Sequence, residues 1–254
     1  VTTYRIAFIV AGGGIAAIAS WLGWSGAFAV CAGIMAALLL FSFSLPPGQR
    51  GALEKVNVIS GLRRWINRPG AGWLLALVLL YRVGDAAVVP MSKPFWVDNG
   101  FSVAEIGMVT SALGMTFTIA GAWIGGLIIV KIGLWRSMLW LGIVQILSNA
   151  GYALLATFGG GRPGFYGAAI VESFTGGLGT AAFLAFLMAI CDRRFAATEY
   201  ALLSALFALT RTVAGATSGV ITDSIGYAGF FWITLVLGIP ALMLLPKIRG
   251  ELEA

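Results

Sequence analysis

Residues 72–92 read GWLLALVLLYRVGDAAVVPMS, a run in which Arg82 and Asp85 are the only charges. Its length matches the about 20 residues that carry a helix across ~30 Å of hydrocarbon. An ionisable pair in the middle of such a run is costly in lipid, so it marks a partnered or water-lined place. Further apolar runs fall at 5–21, 26–44, 104–130, 138–157, 165–191, 200–222 and 227–246. The expectation is an all-α membrane protein with about eight spanning helices. Composition agrees, because 254 residues that are 59% hydrophobic and 10% charged carry more apolar surface than one water-soluble core can hide.

Sixteen Lys and Arg against ten Asp and Glu leave a net charge of +6. Their positions alternate. Arg5, Arg50, Lys55, Arg63, Arg64, Arg68, Lys131, Arg136, Arg193, Arg194, Lys247 and Arg249 fall on one side of the predicted spans, and only Lys93 and Arg162 on the other. Short cytoplasmic loops collect positive charge, so the first side is the inner one and the C-terminus is expected there, in a bacterial inner membrane. The basic balance therefore calls for a lipid bilayer and no nucleic acid. Trp21, Trp24, Trp96, Tyr166 and Tyr227 are expected at the outer interface, and Trp65, Trp73 and Trp135 at the inner one. Residues 45–71 open with Pro46 and Pro47 and place Leu53, Val56, Ile59, Leu62 and Ile66 at helical spacing opposite basic residues. They read as a helix lying on the cytoplasmic surface. The predicted organisation is 1–44 as the last two helices of one half, 45–71 as linker, and 72–254 as a six-helix bundle.

The chain has no histidine, which removes imidazole bases, relays and ligands, so any proton chemistry must use carboxylates. Cys31 and Cys191 stand far apart inside or beside apolar runs and read as packing residues. With no carboxylate pair on a metal-ligand pattern, neither a metal, another cofactor nor an enzymatic activity is expected.

The exits of alternate helices repeat. Ala16-xxx-Ser20-Trp21-x-Gly23, Gly126-xxx-Val130-Lys131-x-Gly133 and Gly219-xxx-Asp223-Ser224-x-Gly226 each set a small residue, a turn pair and a glycine in one order. The small residue is expected to allow close packing and the final glycine a tight turn. This pattern resembles the Gly-xxx-Asp-Arg/Lys-x-Gly signature of the major facilitator superfamily, with Lys131 and Gly133 matching and Val130 where the signature has Asp. Within it, Leu80-Tyr81-Arg82-Val83-Gly84-Asp85-Ala86, Ser148-Asn149-Ala150-Gly151-Tyr152, the stretch from Gly176 to Phe183 and the stretch from Ala197 to Leu206 resemble AmpG-type muropeptide permeases; acetyl-coenzyme A transporters are similar in the same places. The resemblance implies that the chain carries the fifth through twelfth of twelve helices, and the abrupt start through Tyr4 and Arg5 suits a longer sequence ahead of it. It also implies secondary transport, the proton-coupled import of an anhydro-muropeptide or related anionic solute. The competing expectation is a non-transporting assembly subunit of the same fold, completed by a partner chain.

Four ionisable groups at membrane depth are the candidates for substrate and proton: Arg82, Asp85, Glu172 and Arg211. Arg82 and Asp85, three apart, share a helix face. They either pair structurally, as Arg211 would with Glu172, or exchange a proton and hold an anion. The resemblance places Arg82, Asp85 and Glu172 on cavity-lining helices. Gln145 and Asn149 present amides to one face, for interhelical bonding or solute contact. Gly121-xxx-Gly125 and Gly215-xxx-Gly219 read as close-packing faces, and Gly176, Gly177 and Gly179 as a bend or a close approach beside Glu172.

Overall fold

The structure, a computed structural model, describes residues 2–44, 65, 67–68, 70–192 and 195–250, with side chains described from residue 22 onward apart from 42 and 111. The chain forms two units, Val1–Val56 and Asn57–Ala254. The first contains α1 (Thr2–Phe43), broken at Gly23. The proposed surface helix at 45–71 lies outside the described residues except near its end, where Trp65 is buried.

The second unit runs α2 (Ala71–Leu80), α3 (Val83–Asp98), α4 (Val103–Ile106), a π-helical turn at Gly107–Leu113, α5 (Gly114–Ile132), α6 (Leu134–Phe158), α7 (Gly161–Ala189) and α8 (Ala196–Leu244). The described residues contain no strand, and six helical stretches among them are long and apolar enough to cross a membrane. Large apolar side chains stand in the open all over the surface, among them Trp123 at 67% and Val130 at 88% exposure. Water rejects such a surface and lipid accepts it. At about 1.5 Å per residue, the 49 residues of α8 far exceed one crossing. The helix breaks at Gly226 (φ 74°, ψ 167°).

Gly23 (φ 70°, ψ 172°) and Gly133 (φ 84°, ψ 162°) share that geometry. The three glycines closing the sequence repeat thus occupy one backbone region that a side chain is nearly barred from. Gly133→Ala and Gly226→Ala are each expected to destabilise by about 1–3 kcal/mol, read as a fall in the melting temperature of detergent-solubilised protein. The small residues that begin the motifs behave differently. A Cβ on Gly126 or Gly219 would meet nothing within 4 Å among the described residues, so neither makes the close contact expected of it.

The apolar run 72–92 is not one helix. It breaks between α2 and α3 at Tyr81 and Arg82, where Arg82 leaves the helical region (φ −120°, ψ 15°). Gly84 follows, a poor helix former, and its missing Cβ leaves room for the Thr234 carbonyl, which a Cβ would meet at 2.5 Å. Pro90 and Pro94 each remove a further backbone donor from α3.

Two apolar cores stack along the second unit. One gathers Leu74, Leu77, Met138, Leu141, Phe183, Phe186, Leu187 and Leu245. The other is aromatic, with Phe95, Trp96, Phe101, Phe165 and Phe231 in contact. Trp96, expected at the interface, is fully buried there. Around that end Tyr227 donates to Asp98 at 2.7 Å, and Glu105 accepts from Arg162 at 3.0 Å and from Tyr166. At the other end Lys247 covers Trp73 and Arg249 covers Trp135, cation over ring. Both cysteines are free, and burial, helped by the Glu199 carboxylate, pushes the Cys191 thiol up to about 11, so it stays protonated at neutral pH.

Candidate functional site

Between the two apolar cores lies a polar layer. Along α2 and α3 the cores hold Leu74 to Val78 on one side and Ala86 to Val88 on the other, with Arg82 and Asp85 between them; along α6 they leave Gln145, Ser148 and Asn149 between Leu141 and Tyr152. The break in the helix puts Arg82 at the N-cap of α3 and Asp85 in its first turn, where the positive end of the helix favours a carboxylate.

Arg82 pairs with Asp85, and both are largely buried. The remaining donors of Arg82 cross to α7, giving Nη1 to Thr180 Oγ1 at 2.9 Å and to the Gly176 carbonyl at 3.3 Å. Asp85 in turn accepts from Gln145 Nε2 on α6 at 2.9 Å. One ion pair therefore ties α2–α3, α6 and α7 together. Around it Tyr81 donates to the Met138 carbonyl at 2.8 Å, Ser148 to the Gln145 carbonyl at 2.7 Å, and Thr175 reaches Ser148 Oγ at 2.8 Å. Charge-assisted bonds of this kind are the strong ones in a low-dielectric layer.

Glu172 sits two turns before Thr180 on α7, partly exposed. Its carboxyl makes no hydrogen bond or ion pair among the described residues, although it lies within electrostatic reach of Asp85, Arg82 and Tyr152. The site thus holds one guanidinium and two carboxyls, only one of which is engaged. No family model matches the chain. Over 256 residues it is 34% identical to the anhydromuropeptide permease of Escherichia coli (strain K12), a match covering 98% of this chain and 52% of that protein. A protein designated AmpG 4 of Rickettsia conorii is 27% identical over 263 residues, 98% of this chain and 63% of the relative. One designated AmpG 1 of Rickettsia prowazekii is 32% identical over 180 residues, 71% of this chain and 41% of the relative.

Over almost its whole length the chain is similar to AmpG-type permeases.

It spans about half the length of the E. coli relative. The relatives named here are a permease and AmpG proteins, not enzymes. In this AmpG-like chain the structure unites Arg82, Asp85, Gln145 and, at electrostatic range, Glu172. Asn149 lines the same cavity as Arg82, Asp85 and Gln145. Arg211 is not part of the group. It stands exposed on α8 without an ion pair among the described residues, so the Arg211–Glu172 pairing weighed from sequence does not form. Lys131 and Asp223 are likewise exposed, beside the positive-φ turns of Gly133 and Gly226.

The glycines beside Glu172 make no bend, since α7 is unbroken from Gly161 to Ala189. Gly177 instead admits the Thr118 carbonyl of α5, which a Cβ would meet at 2.2 Å, and Gly121 admits the Phe174 carbonyl of α7, at 2.0 Å. Gly179 leaves room for Gln145 and Arg82, at 3.2 and 3.4 Å from a Cβ. The predicted close-packing face at Gly121 and Gly125 is present; at Gly215 a Cβ would make only ordinary contact with Pro90, 3.5 Å away, and Gly219 meets nothing. Sequence reasoning passed over Thr180, Thr175 and Ser148. The available signal was Gly176-xxx-Thr180, one helical turn that sets a carbonyl and a hydroxyl toward Arg82 together.

Proposed function

We infer that the full-length protein is a proton-coupled secondary transporter importing an anhydro-muropeptide, or a related anionic solute, across the bacterial inner membrane. The observation that carries this reading is the buried layer in which Arg82 holds Asp85 while Glu172, within its electrostatic reach, has no partner among the described residues. The name of the E. coli relative supplies the solute class. In this reading the breaks at Gly23 and Gly226 divide α1 and α8 into two crossings each, so that eight crossings correspond to helices five to twelve of twelve. Residues 1–44 close one half, 45–71 link it along the cytoplasmic surface, 72–254 form the other half, and the C-terminus is cytoplasmic.

Access to the polar layer alternates between the two faces of the membrane. One cation serving two carboxyls is the device that couples them. With Asp85 ionised, Arg82 stays on α3 and Glu172 carries the proton. When Asp85 takes a proton, Arg82 is released toward Glu172 or toward the anionic group of the solute. Because Arg82 also grips Gly176 and Thr180, its displacement alters how α3 meets α7. Lys131, Gly133, Asp223 and Gly226, at the inner turns, are the hinge positions of this motion.

The test is uptake of labelled anhydro-muropeptide by cells carrying the full-length gene, with and without a protonophore. Wild type is expected to accumulate the label only without it. Glu172→Gln is expected to lose accumulation at least about tenfold while still equilibrating the solute down its gradient, because a fixed neutral side chain neither takes nor gives a proton. Accumulation that stays protonophore-sensitive in both Glu172→Gln and Asp85→Asn overturns the coupling role of this layer. No uptake from well-expressed protein moves the substrate to another anionic solute.

A further inference from the structure

Hydrogen-bond accounting around Asp85 leaves two acceptors over. An ionised carboxylate only accepts, so the bond from Gln145 Nε2 to Asp85 Oδ1 sets the amide with its NH2 toward Asp85 and its oxygen away. That oxygen, Gln145 Oε1, has no partner among the described residues, and neither has Asn149 Oδ1, one turn further along α6. Gln145 is 7% and Asn149 2% exposed. Both line one cavity with room for about a single water-sized group, bounded also by Arg82, Asp85 and Gly179. Gly179 is what leaves Oε1 its space, since a Cβ there would stand 3.2 Å from it. Buried acceptors left unpaired are destabilising. Two of them in one cavity point to a second arrangement in which both are used.

We propose that this second arrangement belongs to protonated Asp85, and that Gln145 is a positioning residue that serves both protonation states by turning its amide over. A proton that binds Asp85 Oδ1 creates an O–H donor facing an NH2 donor, which cannot stand. A half-turn of the terminal amide brings Gln145 Oε1 to accept the O–H and swings Nε2 into the cavity, where Asn149 Oδ1 accepts it. Terminal amide torsions have broad, roughly two-fold preferences, so the turn needs no backbone change. Both orphan oxygens are then satisfied, while Arg82 loses its anionic partner and is free to leave.

The titratable and charged groups around Asp85 are Tyr81 and Arg82 on its own span, Tyr152 on α6 and Glu172 on α7; α8 contributes the uncharged Thr234 and Gly238. Tyr81 is already committed to the Met138 carbonyl. The inference rests on the proton-coupled reading above.

The experiment is the pH profile of protonophore-sensitive uptake of labelled anhydro-muropeptide by the full-length protein in proteoliposomes. Asn149→Leu removes an acceptor used only in the protonated state. Its midpoint is expected about half to one pH unit below that of wild type, whatever the maximal rate, and Asn149→Ser, which keeps an acceptor, is expected to recover most of the shift. A second readout does not depend on that variant folding. In infrared difference spectra of wild type between low and high pH, the acid carbonyl band of Asp85, identified by its loss in Asp85→Asn, should rise together with a glutamine side-chain carbonyl change that is absent in Gln145→Leu. A coupled wild type with an unmoved midpoint in Asn149→Leu, or an Asp85 band without its glutamine companion, overturns the amide turn alone. Wild-type uptake indifferent to the proton gradient overturns the coupling reading first, and this inference with it.

Discussion

Arg82→Leu is expected to destabilise the full-length protein by about 3–5 kcal/mol, because it strands a carboxylate in a buried layer. Asp85 would keep only the Gln145 amide as a partner, and Gly176 and Thr180 would lose the donor that ties α7 to α3. A lone buried charge is the costly species, whereas replacing both members of a buried pair is often close to neutral. The double variant Arg82→Leu/Asp85→Leu should therefore recover most of the lost stability while remaining inactive in accumulation. Thermal unfolding in detergent, run as a double-mutant cycle, reads the coupling directly. Losses that simply add would mean that the two residues do not form one unit, and the transport reading built on their pairing would fall with it.

The second large effect is expected at the crossing of α5 and α7. There the two helices interlock, Gly121 taking the Phe174 carbonyl and Gly177 the Thr118 carbonyl. A Cβ at 2.0 or 2.2 Å from a backbone oxygen has no rotamer to escape into, so even Gly121→Ala or Gly177→Ala must move a helix. Overpacking of this kind costs about 1–3 kcal/mol per site, and the leucine variants should exceed that and lose most folded protein. Gly167→Ala on the same helix, with nothing within 4 Å, is the control and should stay within about 0.5 kcal/mol of wild type. Equal damage from Gly167→Ala and Gly177→Ala would show that the crossing is not what is being measured, since alanine is the better helix former at both positions. Gly177→Ala should also weaken uptake, because Glu172 lies just over one turn from the displaced contact.

Much of this was readable without coordinates because lipid imposes simple rules. Run length separates spans, loop charge orients them, and the repeated exit motif marks the turns, so Gly23, Gly133 and Gly226 stood out before their shared backbone geometry was known. The charged residues of the spans stood out for the same reason, since hydrocarbon tolerates so few. Pairing was less legible. Arg82 and Asp85 stand three apart, so helical spacing alone puts them on one face, but Arg211 and Glu172 are far apart in the chain, and no spacing rule says whether two helices turn those residues toward each other. Glycine was ambiguous throughout: Gly177 and Gly219 look alike in a sequence, and only the neighbour each one meets tells a close crossing from an open face.

The sequence by itself determined the solvent, the helical class, the family resemblance and the short roster of charges at depth, because each of these follows from how many apolar and ionisable residues lie along a span. The tertiary structure decided which of those charges meet. It broke the span at Arg82, sandwiched Asp85 and Gln145 between two apolar cores, left Glu172 without a partner among the described residues and put Arg211 outside. The physical reason is that helix rotation and the position of a break are set by side-chain packing between segments distant in the chain, where one missing Cβ at Gly84, Gly121 or Gly177 fixes the approach of a whole neighbouring helix.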